Sequence, residues 1–372
     1  NRLELRPLDG HVFAVSPFNF TAIAGNLCLA PALMGNTIIW KPSERSMLSA
    51  AYIMDLFEAA GLPPGVINML PTNDPAAVAD VVLGDRNLAG VHFTGSTGTF
   101  DHIWRTVGQN VSNYGAYPRL VGETGGKDFV FAHPSANVET LITALIRGAF
   151  DFQGQKCSAA SRAYIPQSLF KQVCDGLQAG VGAIRYGDVT EGTHFMGAVI
   201  DARAFDQCVA FLAHAKETPG HTLIAGAAPD KSEGYFIPPT VIACDSPTSR
   251  LMTEEIFGPI LALYAYDDDA IDQVLDIVDS STPYALTGAI FAEDPSVMEM
   301  LSTRLRFAAG NFYINDKPTG AVVGRQPFGG SRRSGTNDKA GSPYNLMRWV
   351  SPRNIKEQFL PPIDPGYPHM TD

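Results

Sequence analysis

The chain has 372 residues, of which 45% are hydrophobic and 17% charged, and its formal net charge is −11. That length allows two or more domains around a large core, and the composition is that of an ordinary globular protein. The acidic balance argues against a nucleic-acid or anionic-membrane partner, because Lys and Arg dominate phosphate binding.

The five cysteines (Cys28, Cys157, Cys174, Cys208 and Cys244) are widely spaced. With no C-x-x-C and no His pair at ligand spacing, neither a zinc site nor a disulfide framework is supported; a reducing compartment fits best. The chain begins with Asn1 and carries no basic, cleavable leader, so it reads as a fragment with any targeting signal upstream.

In chain order, His11–Val15 reads as a short buried strand and Ser16-Pro17-Phe18-Asn19-Phe20 as the turn after it. A helix is predicted over Thr21–Met34, stopped by Gly35-Asn36, then a strand over Thr37–Trp40. No Asp, Glu, Lys or Arg occurs between Asp9 and Lys41, a run long enough for a membrane helix. Pro17, Pro31, Gly25, Gly35 and three asparagines break it into strand, turn, helix and strand, so membrane insertion is rejected. A helix over Met47–Ala60, a strand at Val66–Leu70, a helix at Pro75–Leu83 and a strand at Gly90–Thr94 follow. Gly95-Ser96-Thr97-Gly98 then opens a helix running to about Gln109. Alternation of this kind predicts an α/β fold with a Rossmann-type parallel sheet covered on both faces, right-handed crossovers and ligands at the strands' carboxyl ends.

A second α/β region begins after Leu120–Lys127, a Gly-rich stretch read as a turn holding Glu123. It holds strands at Phe129–Ala132, Arg162–Ile165, Leu286–Phe291 and Asn311–Ile314, and helices near Leu169–Val181, Ala204–Ala215 and Asp269–Val278. A further amphipathic helix, with Val138, Leu141, Ile142, Leu145, Ile146 and Ala149 at helical spacing, runs into the polar turn that contains Cys157. Lys317–Pro343 reads as a long surface loop, Trp349–Phe359 as a closing strand and the Pro-rich end as a tail.

Five features carry candidate chemistry, each with a plain alternative. Cys157 sits among small polar residues where a substrate can approach a thiol, although a single cysteine is more often a small buried hydrophobe. Gly95 and Ser96 begin a helix whose free amides could hold a phosphate, or simply mark a capped start. Lys41-Pro42-Ser43-Glu44 follows a strand where a dinucleotide's adenosine ribose would lie; an acid there accepts from both hydroxyls and repels a 2′-phosphate, favouring NAD, unless it is a solvated strand end. Glu123 could act as a base in a cleft or be merely solvated. Asn19 could donate to an oxyanion or cap the following helix.

Taken together these residues resemble the aldehyde dehydrogenase superfamily. The matching stretches are Pro17–Phe20, Lys41–Glu44, Phe93–Thr97, Glu123–Lys127, Gly154–Cys157, Glu254–Pro259 and Pro327–Gly330, in the family's order. Ser16–Ala24, Phe152–Ala159 and Ser334–Lys339 resemble most the branch that oxidises glutamate γ-semialdehyde, the hydrolysed form of pyrroline-5-carboxylate. One departure is Thr99-Phe100, where many members carry another glycine.

The resemblance implies Cys157 as nucleophile, Asn19 with the Cys157 backbone N–H as oxyanion donors, and Glu123 as the base for thioester hydrolysis. It implies NAD held by the Ser16-Pro17-Phe18 turn, Lys41, Ser43, Glu44, Gly95 and Ser96, with Glu255 and Phe257 at the nicotinamide ribose and ring. Ser158 with Gly341 and Ser342 would grip the amino-acid end of the substrate through a nest of amides, and Phe20 would pack on its methylenes. Expected divisions are an NAD-binding domain over 1–124, a catalytic domain over 125–325, and an anchor loop, closing strand and oligomerisation tail over 326–372. A small-molecule substrate, a homo-oligomer and the mitochondrial matrix, or alternatively the cytoplasm, are also implied. Two rivals remain: another semialdehyde dehydrogenase of the same chemistry, and a non-catalytic structural protein on this fold.

Overall fold

The computed structural model describes residues 1–370. Its first sheet has five parallel strands in the spatial order Ile67–Met69, Thr37–Lys41, His11–Val15, Leu88–Thr94, Arg119–Glu123. The chain winds outward from His11–Val15 in one direction, then crosses to Leu88–Thr94 and winds the other way. The reversal lies between those two central strands, and it opens a crevice at their carboxyl ends. The two turns emerging there are Ser16–Phe20 and Gly95–Ser96.

The uncharged run resolves as expected, into the strand His11–Val15, the helix Thr21–Leu33 and the strand Thr37–Lys41. It is apolar because sheet and helix bury Val12, Ala14, Leu27, Cys28, Ile38 and Trp40 in one cluster. Among the described residues no helix is long and apolar enough to cross a membrane. The sheet's other face carries a second cluster in which Phe93 and Phe100 stack at 5.3 Å. Phe100, the residue at the departure from the family's pattern, fits because Gly122 faces its ring: a Cβ there would lie 2.2 Å from Phe100.

The second sheet has seven strands, in the order Asn311–Ile314, Thr287–Phe291, Asp128–Ala132, Ala160–Pro166, Ile260–Tyr266, Thr240–Cys244, His221–Ala225. All pairs are parallel except the last. Apolar clusters cover both faces. Periodicity alone picks out none of His221–Ala225, Thr240–Cys244 or Ile260–Tyr266. Thr240–Cys244 and Ile260–Tyr266 are short, mostly buried apolar runs with no alternation by which to be recognised, and His221–Ala225 is a partly exposed edge strand of mixed residues.

Two further expectations need correcting. Glu123 is the last residue of the strand Arg119–Glu123 rather than a member of a turn. The Lys317–Pro343 segment is surface loop only in part: Val322–Gln326 is exposed, but Pro318, Thr319, Gly329, Gly330 and Ser334 are buried. Its Gly335 bridges to Glu123, and Thr336 exchanges hydrogen bonds with Gly122. The segment therefore lies along the free edge of the first sheet.

The closing strand is Val350–Ile355, shorter than expected, and pairs antiparallel with an exposed strand, Arg2–Pro7, that the sequence did not reveal. Asn36 anchors this end, its buried amide donating to the carbonyls of Pro31 and Trp349 at 2.9 Å each.

Candidate active site

The first sheet ends at Glu123 and the second begins at Asp128, so the linking residues Thr124–Lys127 lie where the two meet. The helix Val138–Phe150, capped by Asn137 accepting from the Thr140 N–H at 3.1 Å, delivers the chain back to this junction. There Phe152, Gln153 and Gly154 adopt φ of 55°, 55° and 63° in succession. Two non-glycine residues in the left-handed region are costly, and such strain collects at functional turns. The turn is over-determined. The Gln153 and Gln155 side-chain oxygens each accept a backbone N–H at 3.0 Å, from Gly197 and Ile200. A Cβ on Gly154 would lie 2.4 Å from the Gly258 carbonyl oxygen.

Cys157 emerges from this turn half-buried, ahead of the strand Ala160–Pro166, whereas Cys28, Cys208 and Cys244 are buried. The thiol therefore sits at the amino end of a second-sheet strand and faces the carboxyl ends of the first sheet. Asn19 meets the same turn from the first sheet. Its Nδ2 donates to the Gln155 carbonyl at 3.0 Å, two residues from the thiol. Asn19 does not cap the following helix, whose N-cap is Phe20 with no side-chain bond. An amide nitrogen has two hydrogens, so one remains for another acceptor.

Three carboxyl groups bear on the thiol. Burial, then the charges of Asp128, Glu123 and Glu255, push the Cys157 thiol far above the ordinary range. Burial also raises Glu123 well above a normal carboxyl, partly offset by the Gly330 N–H that donates to its Oε2 at 3.2 Å and by Lys339. Asp128 is raised by burial too, although the Thr287 N–H donates to it at 2.6 Å. Glu255 is raised by burial to about 7 and accepts the Gly126 N–H at 3.0 Å. Lys127, sealed beside it with no hydrogen-bond partner for Nζ among the described residues, is lowered by burial to about 7. Gly126 has no room for a side chain: a Cβ would meet the Cys157 carbonyl oxygen at 2.3 Å and Asp128 at 2.5 Å.

The residues expected to hold a dinucleotide line the crevice. Ser96 caps the helix Thr97–Gln109, its Oγ accepting from the Thr99 N–H at 3.2 Å. Gly98, in the first turn of that helix, borders open space, since a Cβ there would meet nothing within 4 Å. Gly95 cannot take a side chain, because Phe93 would lie 2.7 Å from it. Ser16 is buried, with Oγ accepting from the Trp40 indole at 3.0 Å. Pro17 continues that turn, and Phe18 meets Phe257 edge to face at 6.1 Å, Phe257 itself having φ of 57°. Lys41 is buried, with its Nζ 3.8 Å from the half-exposed Glu44. Ser43 caps the short turn after it by accepting from the Arg45 N–H at 3.3 Å. Arg45 then pairs with Asp201, the cap of the helix Ala202–Glu217, tying the turn after Lys41 to the second sheet's body. Open amides at a helix start, an acid past the second strand and a buried carboxyl beside the thiol suit a dinucleotide.

Phe20, expected at the substrate, stacks on Phe152 at 5.7 Å. Ser158 faces a residue the sequence reading omitted: its Oγ lies 2.7 Å from the Thr319 Oγ1, both buried. The signal available was Thr319-Gly320 within a Gly-rich loop, but only the fold places it beside Ser158. No hydrogen bond joins Gly341 or Ser342 to Ser158 among the described residues. Ser342 directs both its N–H and its Oγ to the Lys339 carbonyl, at 3.2 and 2.6 Å, and Gly341 is exposed with φ of 83°.

Comparison with known proteins agrees with this arrangement. The model of the aldehyde dehydrogenase family matches residues 1–355. The chain belongs to the aldehyde dehydrogenase family. It is 50% identical over 374 residues to the mitochondrial delta-1-pyrroline-5-carboxylate dehydrogenase of Dictyostelium discoideum, covering all of this chain and 67% of that protein. The human mitochondrial enzyme of the same name is 48% identical over 372 residues, with 66% of its length covered. Among solved structures, the delta-pyrroline-5-carboxylate dehydrogenase of Mycobacterium tuberculosis bound with NAD superposes with a TM-score of 0.94 and 57% identity, over 100% of this chain and 68% of that one. The chain thus spans about two thirds of the length of these relatives. As an aldehyde dehydrogenase family member it has the α/β architecture read from its sequence.

Proposed function

We propose that the protein of this chain oxidises L-glutamate γ-semialdehyde to L-glutamate with NAD, as its relatives' names indicate for them. The observation that carries the reading is the Asn19 bond to Gln155, which sets an amide donor beside the Cys157 turn from the far side of the cleft.

In this mechanism the Cys157 thiol passes its proton to solvent water as the sulfur bonds to the aldehyde carbon. The free Asn19 N–H and the Cys157 backbone N–H hold the oxygen as it becomes negative. NAD, when held in the crevice, would accept the hydride lost from that carbon, leaving the acyl group on Cys157 as a thioester. Glu123 takes a proton from water, the water oxygen bonds to the acyl carbon, and the C–S bond breaks to release the carboxylate product and the thiol. Burial suits Glu123 to this work by raising its basicity above that of a solvated carboxylate.

Ser96, Gly95 and the open helix start bind the pyrophosphate, Lys41, Ser43 and Glu44 the adenosine ribose, and Glu255 with Phe257 the nicotinamide side. Ser16, Pro17 and Phe18 form the crevice wall. For the amino-acid end of the substrate we favour Ser158 with the Thr319–Gly320 turn over Gly341–Ser342, because Ser342's donors are already engaged. Phe20, on its stacked Phe152, covers the methylenes.

The divisions 1–124, 125–325 and 326–372 serve cofactor binding, catalysis and closure. The exposed ribbon of Arg2–Pro7 with Val350–Ile355, presenting Leu3 and Leu5, is where we place contact with a second copy. The mitochondrial matrix is the proposed location, since relatives 48–50% identical are named mitochondrial; a bacterial relative at 57% keeps the cytoplasm as the alternative.

The test compares NAD reduction with glutamate semialdehyde, succinate semialdehyde and simple alkanals. Strong preference for the first supports the reading, and equal rates refute the substrate. Turnover surviving in Cys157→Ser refutes the nucleophile.

A further inference from the structure

Glu123 is not held by the strand that carries it. Its Oε2 accepts the Gly330 N–H at 3.2 Å, and a Cβ on the neighbouring Gly329 would sit 3.0 Å from its Oε1. The Gly329–Gly330 turn is thus the cradle of the base. What fixes the cradle is Lys339. Its Nζ donates to the carbonyls of Gly329 at 3.0 Å and Gly310 at 2.7 Å, and more weakly to the Asn311 Oδ1 at 3.4 Å. The same Asn311 oxygen accepts the Gly329 N–H at 3.1 Å. A half-buried ammonium spending its donors on backbone carbonyls, with no carboxylate in bonding range among the described residues, is not a surface ion pair. Lys339 and Asn337 also hold φ of 52° and 56°, left-handed values that non-glycine residues adopt at a cost.

We propose that Lys339 is the positioning residue for the general base: it locks the Gly329–Gly330 turn that holds the Glu123 carboxylate and is the cation facing it. The inference rests on the assignment of Cys157 and Glu123 above. The charged groups bearing on Glu123 are Lys339, which favours its ionised form, and Asp338, which opposes it; Asp338 is itself engaged by Arg348 at 3.1 Å. Burial and Glu123 pull Lys339 in opposite directions, with burial the stronger. Removing Lys339 therefore takes away both a cation and a fixed N–H donor, and each loss makes Glu123 harder to ionise.

The experiment uses enzyme that has been shown to oxidise glutamate semialdehyde with NAD, so failure of the functional reading is detected before this one is tested. Lys339→Met removes charge and donors. Lys339→Gln keeps a donor for the Gly329 carbonyl and preserves the loop if Met does not. The readout is the lifetime of the acyl group on Cys157, by acid quench and intact mass, as a function of pH. The expected result is an NADH burst within about threefold of the parent and an acyl lifetime lengthened about tenfold or more. The acid limb of hydrolysis should move up by about one pH unit, a tenfold change in the ionised fraction. On a Glu123→Gln background the further effect of Lys339→Gln should vanish. An unmoved acid limb, a burst that falls in step with hydrolysis, or a Lys339 effect undiminished without Glu123 would each overturn the proposal.

Discussion

Asn19 and Gln155 lie 136 residues apart in the chain and are joined by a buried hydrogen bond of 3.0 Å. That contact brings the first sheet's exit turn to the turn that carries Cys157, the proposed nucleophile, and it uses one of the two Asn19 amide hydrogens. Asn19→Ala should therefore remove an oxyanion donor and loosen the Cys157 turn together. Removing one such donor typically costs about 10²–10³ in kcat. Asn19→Asp, nearly isosteric but unable to donate when ionised, should be at least as impaired. Steady-state kinetics on the two variants check this, and a loss below about tenfold would place the oxyanion elsewhere.

The resting thiol should be sluggish. Burial and three carboxyls disfavour the thiolate, which is the reactive form, so alkylation of Cys157 by iodoacetamide should rise about tenfold per pH unit. The rise should continue past about pH 8.5, where an ordinary thiol begins to level off. A plateau near neutral pH would show that a cation or base activates the thiol before substrate arrives.

Asp128→Asn tests the carboxyl that bears most on that thiol. The folded state raises the Asp128 pKa above its unfolded value, so folding favours the protonated form. Stability is then lost as pH rises from about 3.9 toward the folded value. Asparagine can still accept the Thr287 N–H but never ionises. The variant should therefore lose less stability between acid and neutral pH, and its Cys157 should alkylate faster at a given pH. Denaturant melts across that range, with the same alkylation assay, decide both points.

Two glycines of the site should respond oppositely to alanine. At Gly126 the added Cβ collides with the Cys157 carbonyl and Asp128, an overpacking that costs about 1–3 kcal/mol and displaces the nucleophile. At Gly98 it meets nothing, and removing a helical glycine stabilises by up to about 1 kcal/mol. If the space ahead of that helix receives the pyrophosphate, Gly98→Ala should keep or raise Tm while raising KM for NAD. An unchanged KM would move the phosphate away from this helix start.

The sequence by itself determined the alternation of strands and helices, the breaking of the uncharged run at Pro17, Pro31 and Gly35, and the order of motifs that marks the family. These are local matters of period, backbone permissiveness and residue type, which neighbours along the chain decide. It did not disclose the central strands Thr240–Cys244 and Ile260–Tyr266, since burial on both faces erases the alternation that marks a strand. Nor did it show that Glu123 ends a strand, that Thr319 faces Ser158, or that Lys339 bonds to the Gly329–Gly330 turn that donates to Glu123. Those partners are 161 residues apart for the Ser158 pair and 207 for the Glu123–Gly330 bond. Contacts across such distances follow from how two sheets meet end to end, and only the folded chain decides that.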